Sequence, residues 1–274
     1  MTQDDAKMDD NQLIELGRRF TQFDDDPEYQ SDQMLKLPQP PLVKDKMGGE
    51  LIDLPLNFKD LTLNNDIIEL FYQRASHRIF TQQGISLLEL SFLLWATQGI
   101  KDIRGNNYAT SRTVPCGGAR HEFETYLIVQ NVEQLKPGCY HYLPMSDQLE
   151  LLEENDDLTE AIDEAMMRQT WATKADVVFI WSLIPYRAEW RYGKFAHRVM
   201  MMDIGHVGEN LYLACEALGL GTCGVGAFVR QTCDKILGLD GIEEYTVYAS
   251  PTGTINRQKP TSENLTYKQK IAGK

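Results

Sequence analysis

Residues 175–182, ADVVFIWS, form an unbroken apolar run of strand length. Successive side chains of a strand point to opposite faces, so a strand with one wet face alternates apolar and polar residues. A run without alternation reads as a central strand buried on both faces. Residues 125–129 (TYLIV) and 245–249 (YTVYA) read as further core strands, and residues 138–143 as another behind a Pro137-Gly138 turn. Helical signals lie between them. Ile67, Leu70 and Phe71 fall on one face of a short amphipathic helix. Ser86 followed by Glu89 makes a capping box that opens a helix through Leu87, Leu90 and Leu94, ending at Gly99. Asp157 and Glu160 mark another start, and residues 195–218 form a helix roughly 36 Å long that stops at Gly219. Gly205 and Gly208 inside it each cost about 1 kcal/mol relative to Ala, which points to close approach of another backbone. Helices and strands interleave without a repeating βα unit, so the expected class is α+β with a sheet surrounded by helices.

The chain has 274 residues, with 27 Lys plus Arg against 40 Asp plus Glu, a formal charge of −13. An acidic surface repels phosphate backbones, so no nucleic-acid partner is expected, while a small anion needs only a local basic pocket. No apolar run approaches the roughly 20 residues of a membrane span, and MTQDDAKMDD lacks the apolar stretch of a secretory signal. The five cysteines are odd in number and contain no CxxC, which suits a reduced, cytoplasmic protein without disulfides. Cys139 and His141 alternate on one strand face, a pattern that burial explains without a metal; no metal site is expected. Residues 1–60 carry 14 acidic and 7 basic residues and 5 of the 11 prolines. They read as an acidic arm lying across the body or a neighbouring subunit, or as a mobile leader, with the main domain in residues 61–274.

Three segments carry chemistry. Arg74, Ser76 and Arg78 are spaced by two, so an extended segment would present two guanidiniums flanking a hydroxyl, a receptor suited to a phosphate; the alternative is two surface arginines. Pro115-Cys116-Gly117-Gly118 offers consecutive backbone N–H groups to a ligand, or simply a turn; a Cys116 nucleophile with His121 as base is a third option. Gly219, Gly221 and Gly224 satisfy GxGxxG, but they follow a helix where a dinucleotide fingerprint follows a strand. What remains is a loop of exposed amides. An anion clamp and two glycine loops fit a phosphate-tailed organic cofactor better than hydrolysis.

Five stretches in order, RASHRIF from Arg74, LSFLLWATQGI from Leu90, RTVPCGGARHEFETYLIV from Arg112, DIGHVGENLYLACEALGLGTCGVGAF from Asp203 and SPTGTI from Ser250, resemble the flavin-dependent nitroreductase superfamily, most closely its SagB-type, azoline oxidase-like branch. The resemblance implies an intertwined homodimer with a mostly antiparallel sheet and a tightly bound FMN at each subunit interface. It implies NAD(P)H as electron donor and a small nitro, quinone or heterocyclic substrate, or alternatively a non-catalytic module that stores or senses flavin. By matching position, Arg74, Ser76 and Arg78 would hold the phosphate and the polar flavin edge. Pro115, Cys116, Gly117 and Gly118 would flank the isoalloxazine from the partner subunit. Gly221, Thr222, Cys223 and Gly224 would run near flavin N5, and Arg257 would add a phosphate contact. Where azoline oxidases have a Lys-Tyr pair, this chain has Arg191-Tyr192, and arginine stays protonated near neutrality, so no catalytic acid or base is assigned.

Overall fold

The computed structural model describes residues 8–22, 26 and 28–257. Helix α1 (Asp10–Phe20), opened by an Asp9 capping box, is exposed along its length. Strand β1 (Glu50–Asp53) follows, then α2 (Ile67–Gln73) and α3 (Leu87–Gln98), and a hairpin of β2 (Ile100–Arg104) and β3 (Ala109–Arg112). Strands β4 (Phe123–Val129), β5 (Gly138–Leu143) and β6 (Gln148–Glu154) run consecutively before α4 (Thr159–Ala165). The remainder is β7 (Val177–Leu183), α5 (Tyr186–Tyr192), α6 (Ala196–Leu218), β8 (Leu220–Thr222), α7 (Arg230–Leu237) and β9 (Tyr245–Thr254).

Seven strands form one antiparallel sheet in the order β1-β6-β5-β4-β7-β9-β8. The apolar run supplies β7, whose seven residues are all buried. Its side chains divide by parity. Val177, Phe179, Trp181 and Leu183 join Leu90, Leu93 and Leu94 of α3 and Met200, Val207 and Leu211 of α6 on one face. Val178 and Ile180 join Ile162 and Ala165 of α4 and Cys233 and Leu237 of α7 on the other. The sheet is therefore α+β with helices on both sides, as the irregular interleaving requires.

Local signals act as their chemistry demands. Ser86 and Glu89 complete the reciprocal cap of α3, and Gly219 ends α6 in the left-handed conformation at φ 81°. Two expectations change. On α2 only Leu70 is buried, while Ile67 and Phe71 face outward at 54% and 62% exposure. In α6 a Cβ at Gly208 would meet the Tyr248 ring at 2.9 Å, so a side chain of the same chain explains this glycine; at Gly205 the space is open.

Residues within the 1–60 segment dock on the body through buried carboxylates. Glu150 accepts the backbone N–H groups of Met47, Gly48 and Gly49, and Glu124 accepts that of Lys44 at 3.0 Å. The Lys44 ammonium pairs with Glu244, and β1 then adds a strand beside β6.

Candidate functional site

The chain leaves α2 extended, and Ser76 makes a parallel bridge to Thr222 with His77 N–H donating to the Thr222 carbonyl at 2.9 Å. The arginine segment thus lines the outer edge of β8. Tyr212 of α6 fastens it: its hydroxyl lies 3.0 Å from Ser76 Oγ and accepts the Gly224 N–H at 2.7 Å, while the Arg74 guanidinium sits 5.3 Å from its ring centroid. Arg78 lies 5.7 Å from the Trp171 ring centroid. Among the described residues neither arginine forms an ion pair with a carboxylate. Burial, then the charges of Arg257 and Arg74, hold the His77 imidazole below its ordinary pKa. Both charges that act on this ring are positive, in a chain of net charge −13.

Arg257 is close by and tied to the end of α6. Its guanidinium donates to Glu216 Oε1 at 2.7 Å and to the carbonyls of Glu216 and Gly219, capping the C-terminal end of α6. The loop of exposed amides is revised. Residues 220–222 are an edge strand, and the N–H groups of Cys223, Gly224 and Val225 bond to Pro251 O, Tyr212 Oη and Ala249 O. Thr222 turns its hydroxyl inward, 2.8 Å from Ser250 Oγ. A Cβ at Gly221 would strike Ile255 and His77, and one at Gly224 would strike Tyr248. Internal packing therefore already requires these two glycines.

The residue 115–118 loop sits against the start of α6. Gly117 N–H donates to Asp203 Oδ2 at 2.7 Å, and the Cys116 thiol donates to Glu122 Oε2 at 3.2 Å. Cβ atoms at Gly117 and Gly118 would collide with Val199 and Arg191, so the glycines let α5 and α6 close on the loop. Pro115 is exposed at its edge. Burial, aided by Glu122 and Asp203, pushes the Cys116 thiol above its usual range. His121 presents its backbone N–H to that sulfur and turns its ring to Thr110 O, 3.2 Å from Nε2; burial and Arg112 hold the ring neutral. A Cys-His nucleophile–base pair is not formed. Beside the loop, Arg120 donates to Gly118 O at 3.1 Å, and Arg191 and Tyr108 meet at 2.9 Å.

Helix α6 separates the two halves. Asp203 anchors the 115–118 loop and Tyr212 anchors the arginine segment, nine residues apart. That is about 13 Å along the axis and half a turn around it. One chain brings Arg74 and Ser76 to residues 221–224, but it does not bring Pro115, Cys116, Gly117 and Gly118 to them. Tyr212, Asp203, Glu122 and Tyr108 were not singled out in the sequence. Tyr212 carried a usable signal, since it precedes Gly219 by seven residues and so shares a helix face with the glycine segment.

The Nitroreductase family model matches residues 72–254. The chain belongs to the nitroreductase family. A protein of Methanocaldococcus jannaschii named as a nitroreductase, MJ1384, is 32% identical over 209 residues, covering 76% of this chain and 98% of its own. The trifolitoxin-processing protein TfxB of Rhizobium leguminosarum bv. trifolii is 29% identical over 170 residues, 59% of this chain and 46% of that one. Among solved structures, one described as a nitroreductase from Anabaena variabilis superposes with TM-score 0.67 at 20% identity, over 92% of this chain and 49% of that one. The Escherichia coli microcin synthetase McbBCD complex contains a chain that superposes with TM-score 0.58 at 17% identity, over 90% of this chain and 92% of its own. These structures share the family fold. Membership in the family makes the chain an oxidoreductase, and among the described residues no helix is long and apolar enough to cross a membrane.

Proposed function

We propose that the chain is an FMN-dependent oxidoreductase that works as a homodimer, transferring electrons from NAD(P)H to a small conjugated acceptor such as a nitro or quinone compound. The observation that carries this reading is the segment of Arg74, Ser76 and Arg78 on the β8 edge. Its two guanidiniums have no carboxylate partner among the described residues: Arg74 lies with the Ser76 hydroxyl at Tyr212, and Arg78 packs on the Trp171 ring. A guanidinium free of a carboxylate, with a hydroxyl close by, suits a phosphate tail. Arg74, Ser76 and Arg78 would hold that end of the cofactor, and Gly221, Thr222, Cys223 and Gly224 would form a wall beside it. Pro115, Cys116, Gly117 and Gly118 would come from the second subunit, since one chain keeps the two groups apart. When bound, FMN supplies two-electron hydride chemistry, and the protein supplies binding and electrostatics.

The purified protein should be yellow, and anaerobic NADH or NADPH should bleach it. Arg74→Ala should weaken FMN binding about 10- to 100-fold, the loss of charge-assisted hydrogen bonds, with an unchanged circular dichroism spectrum. Colourless wild-type protein that takes up no added FMN would overturn the reading.

A further inference from the structure

Tyr108 stands on the turn of the β2–β3 hairpin, partly exposed, with its hydroxyl oxygen accepting two hydrogen bonds. Gln33 Nε2 donates from 2.8 Å and Arg191 from 2.9 Å. A second guanidinium, Arg120, lies 5.0 Å from the Tyr108 ring centroid and donates to the Tyr108 carbonyl at 2.8 Å. These residues come from four places in the chain: the arm preceding β1, the hairpin, the loop before β4, and α5. They are continuous with the glycine loop, because Arg120 bonds Gly118 O and Arg191 packs on the Gly118 Cα.

We propose that Tyr108 is a catalytic proton donor to the acceptor, positioned by Arg191, Arg120 and Gln33. The assignment rests on the flavin reading above, which makes the 115–118 loop a wall of the reaction site. Its physical basis is the geometry of the phenol. The oxygen accepts from two donors, so its own proton is directed away from them toward the open side. The groups facing it are the two guanidiniums and a neutral amide. Burial alone would raise the phenol's pKa, but the Gln33 bond and the charges of Arg191 and Arg120 outweigh it and hold the phenol below its ordinary value. A phenol so acidified is a better acid near neutrality. It also gives Arg191 a use that its permanent charge permits: it cannot take a proton, but it can stabilise the phenolate left behind. With a quinone as acceptor, the quinone gains a hydride drawn from NAD(P)H and one proton from the Tyr108 hydroxyl. The O–H bond breaks, hydroquinone forms, and the phenolate recovers a proton from water.

Tyr108→Phe and Arg191→Gln, compared with wild type, test this with two readouts. Ultraviolet difference titration of wild type against Tyr108→Phe reports ionisation of this one phenol without turnover. Its midpoint should lie below 10 and move upward in Arg191→Gln. With p-benzoquinone, Tyr108→Phe should lower kcat at least tenfold at pH 7 and abolish the fall in kcat that wild type shows as pH rises through the phenol's pKa, while its flavin absorbance stays at the wild-type level. A Tyr108 midpoint at or above 10, or wild-type kcat in a flavin-loaded Tyr108→Phe variant, would overturn the assignment. If wild type binds no FMN, the flavin reading fails and the catalytic role falls with it, whereas the phenol titration still reports the arginine effect separately.

Discussion

Glu122 and Asp203 lie together beneath the 116–118 loop, both buried, with the Cys116 thiol beside them; the sulfur and one oxygen of each carboxyl fall within 4.8 Å of one another. Burial and then the Asp203 charge push the Glu122 carboxyl up to about 7. A carboxyl raised on folding binds more protons in the native state. Its contribution to stability is therefore full below the unfolded value of about 4.3 and is lost as pH rises through 7. Urea denaturation should show wild type losing stability between pH 5 and 8, and Glu122→Gln should flatten that slope by on the order of 2 kcal/mol. The same environment keeps Cys116 as a thiol. Iodoacetamide at pH 7.5 should alkylate it far more slowly in the native protein than after unfolding; rapid native alkylation would contradict a half-buried thiol flanked by two buried carboxylates.

At the scale of elements, the segment before β1 is held by Glu150 and Glu124 rather than by apolar packing alone. Burial would raise both carboxyls, but the backbone N–H bonds from Met47, Gly49 and Gly48 lower Glu150, while Arg187 and His141 lower Glu124. Groups depressed on folding stabilise above their unfolded pKa and lose that contribution as pH falls through the folded value. Acid should therefore release this segment, the opposite sign to Glu122. Glu150→Ala leaves three backbone donors without their acceptor and should cost about 2–3 kcal/mol. Trypsin should then cut at Lys44 and Lys46 faster than in wild type, and equal cleavage rates would show that the latch lies elsewhere. In α3, Ser86→Ala removes the bond to Glu89 N–H and should cost about 1 kcal/mol in thermal unfolding.

Over the whole molecule, Ile67, Ile68 and Phe71 of α2 and Met201 and Met202 of α6 leave apolar surface uncovered, and the space beside Gly205 is open. The proposed dimer would cover such surface and deliver the 115–118 loop of one subunit to the arginine segment of the other. Met202→Glu should shift wild-type dimers toward monomers in light scattering and reduce FMN retention together. A monodisperse wild-type monomer that retains FMN would break that link. The sequence by itself determined the local facts: the doubly buried strand, the Ser86–Glu89 cap, the Gly219 stop and the α+β class. Each depends on side-chain parity, capping chemistry or backbone freedom within a few residues. The motifs of the arginine and glycine segments were legible too, but their partners were not. Tyr212 beneath Ser76, Arg257 turned to Glu216, the bonded amides of residues 223–225 and the junction of Gln33, Tyr108 and Arg191 all join residues distant in the chain. Tertiary structure decided these contacts, because a donor's availability depends on which distant acceptor folding brings within about 3 Å.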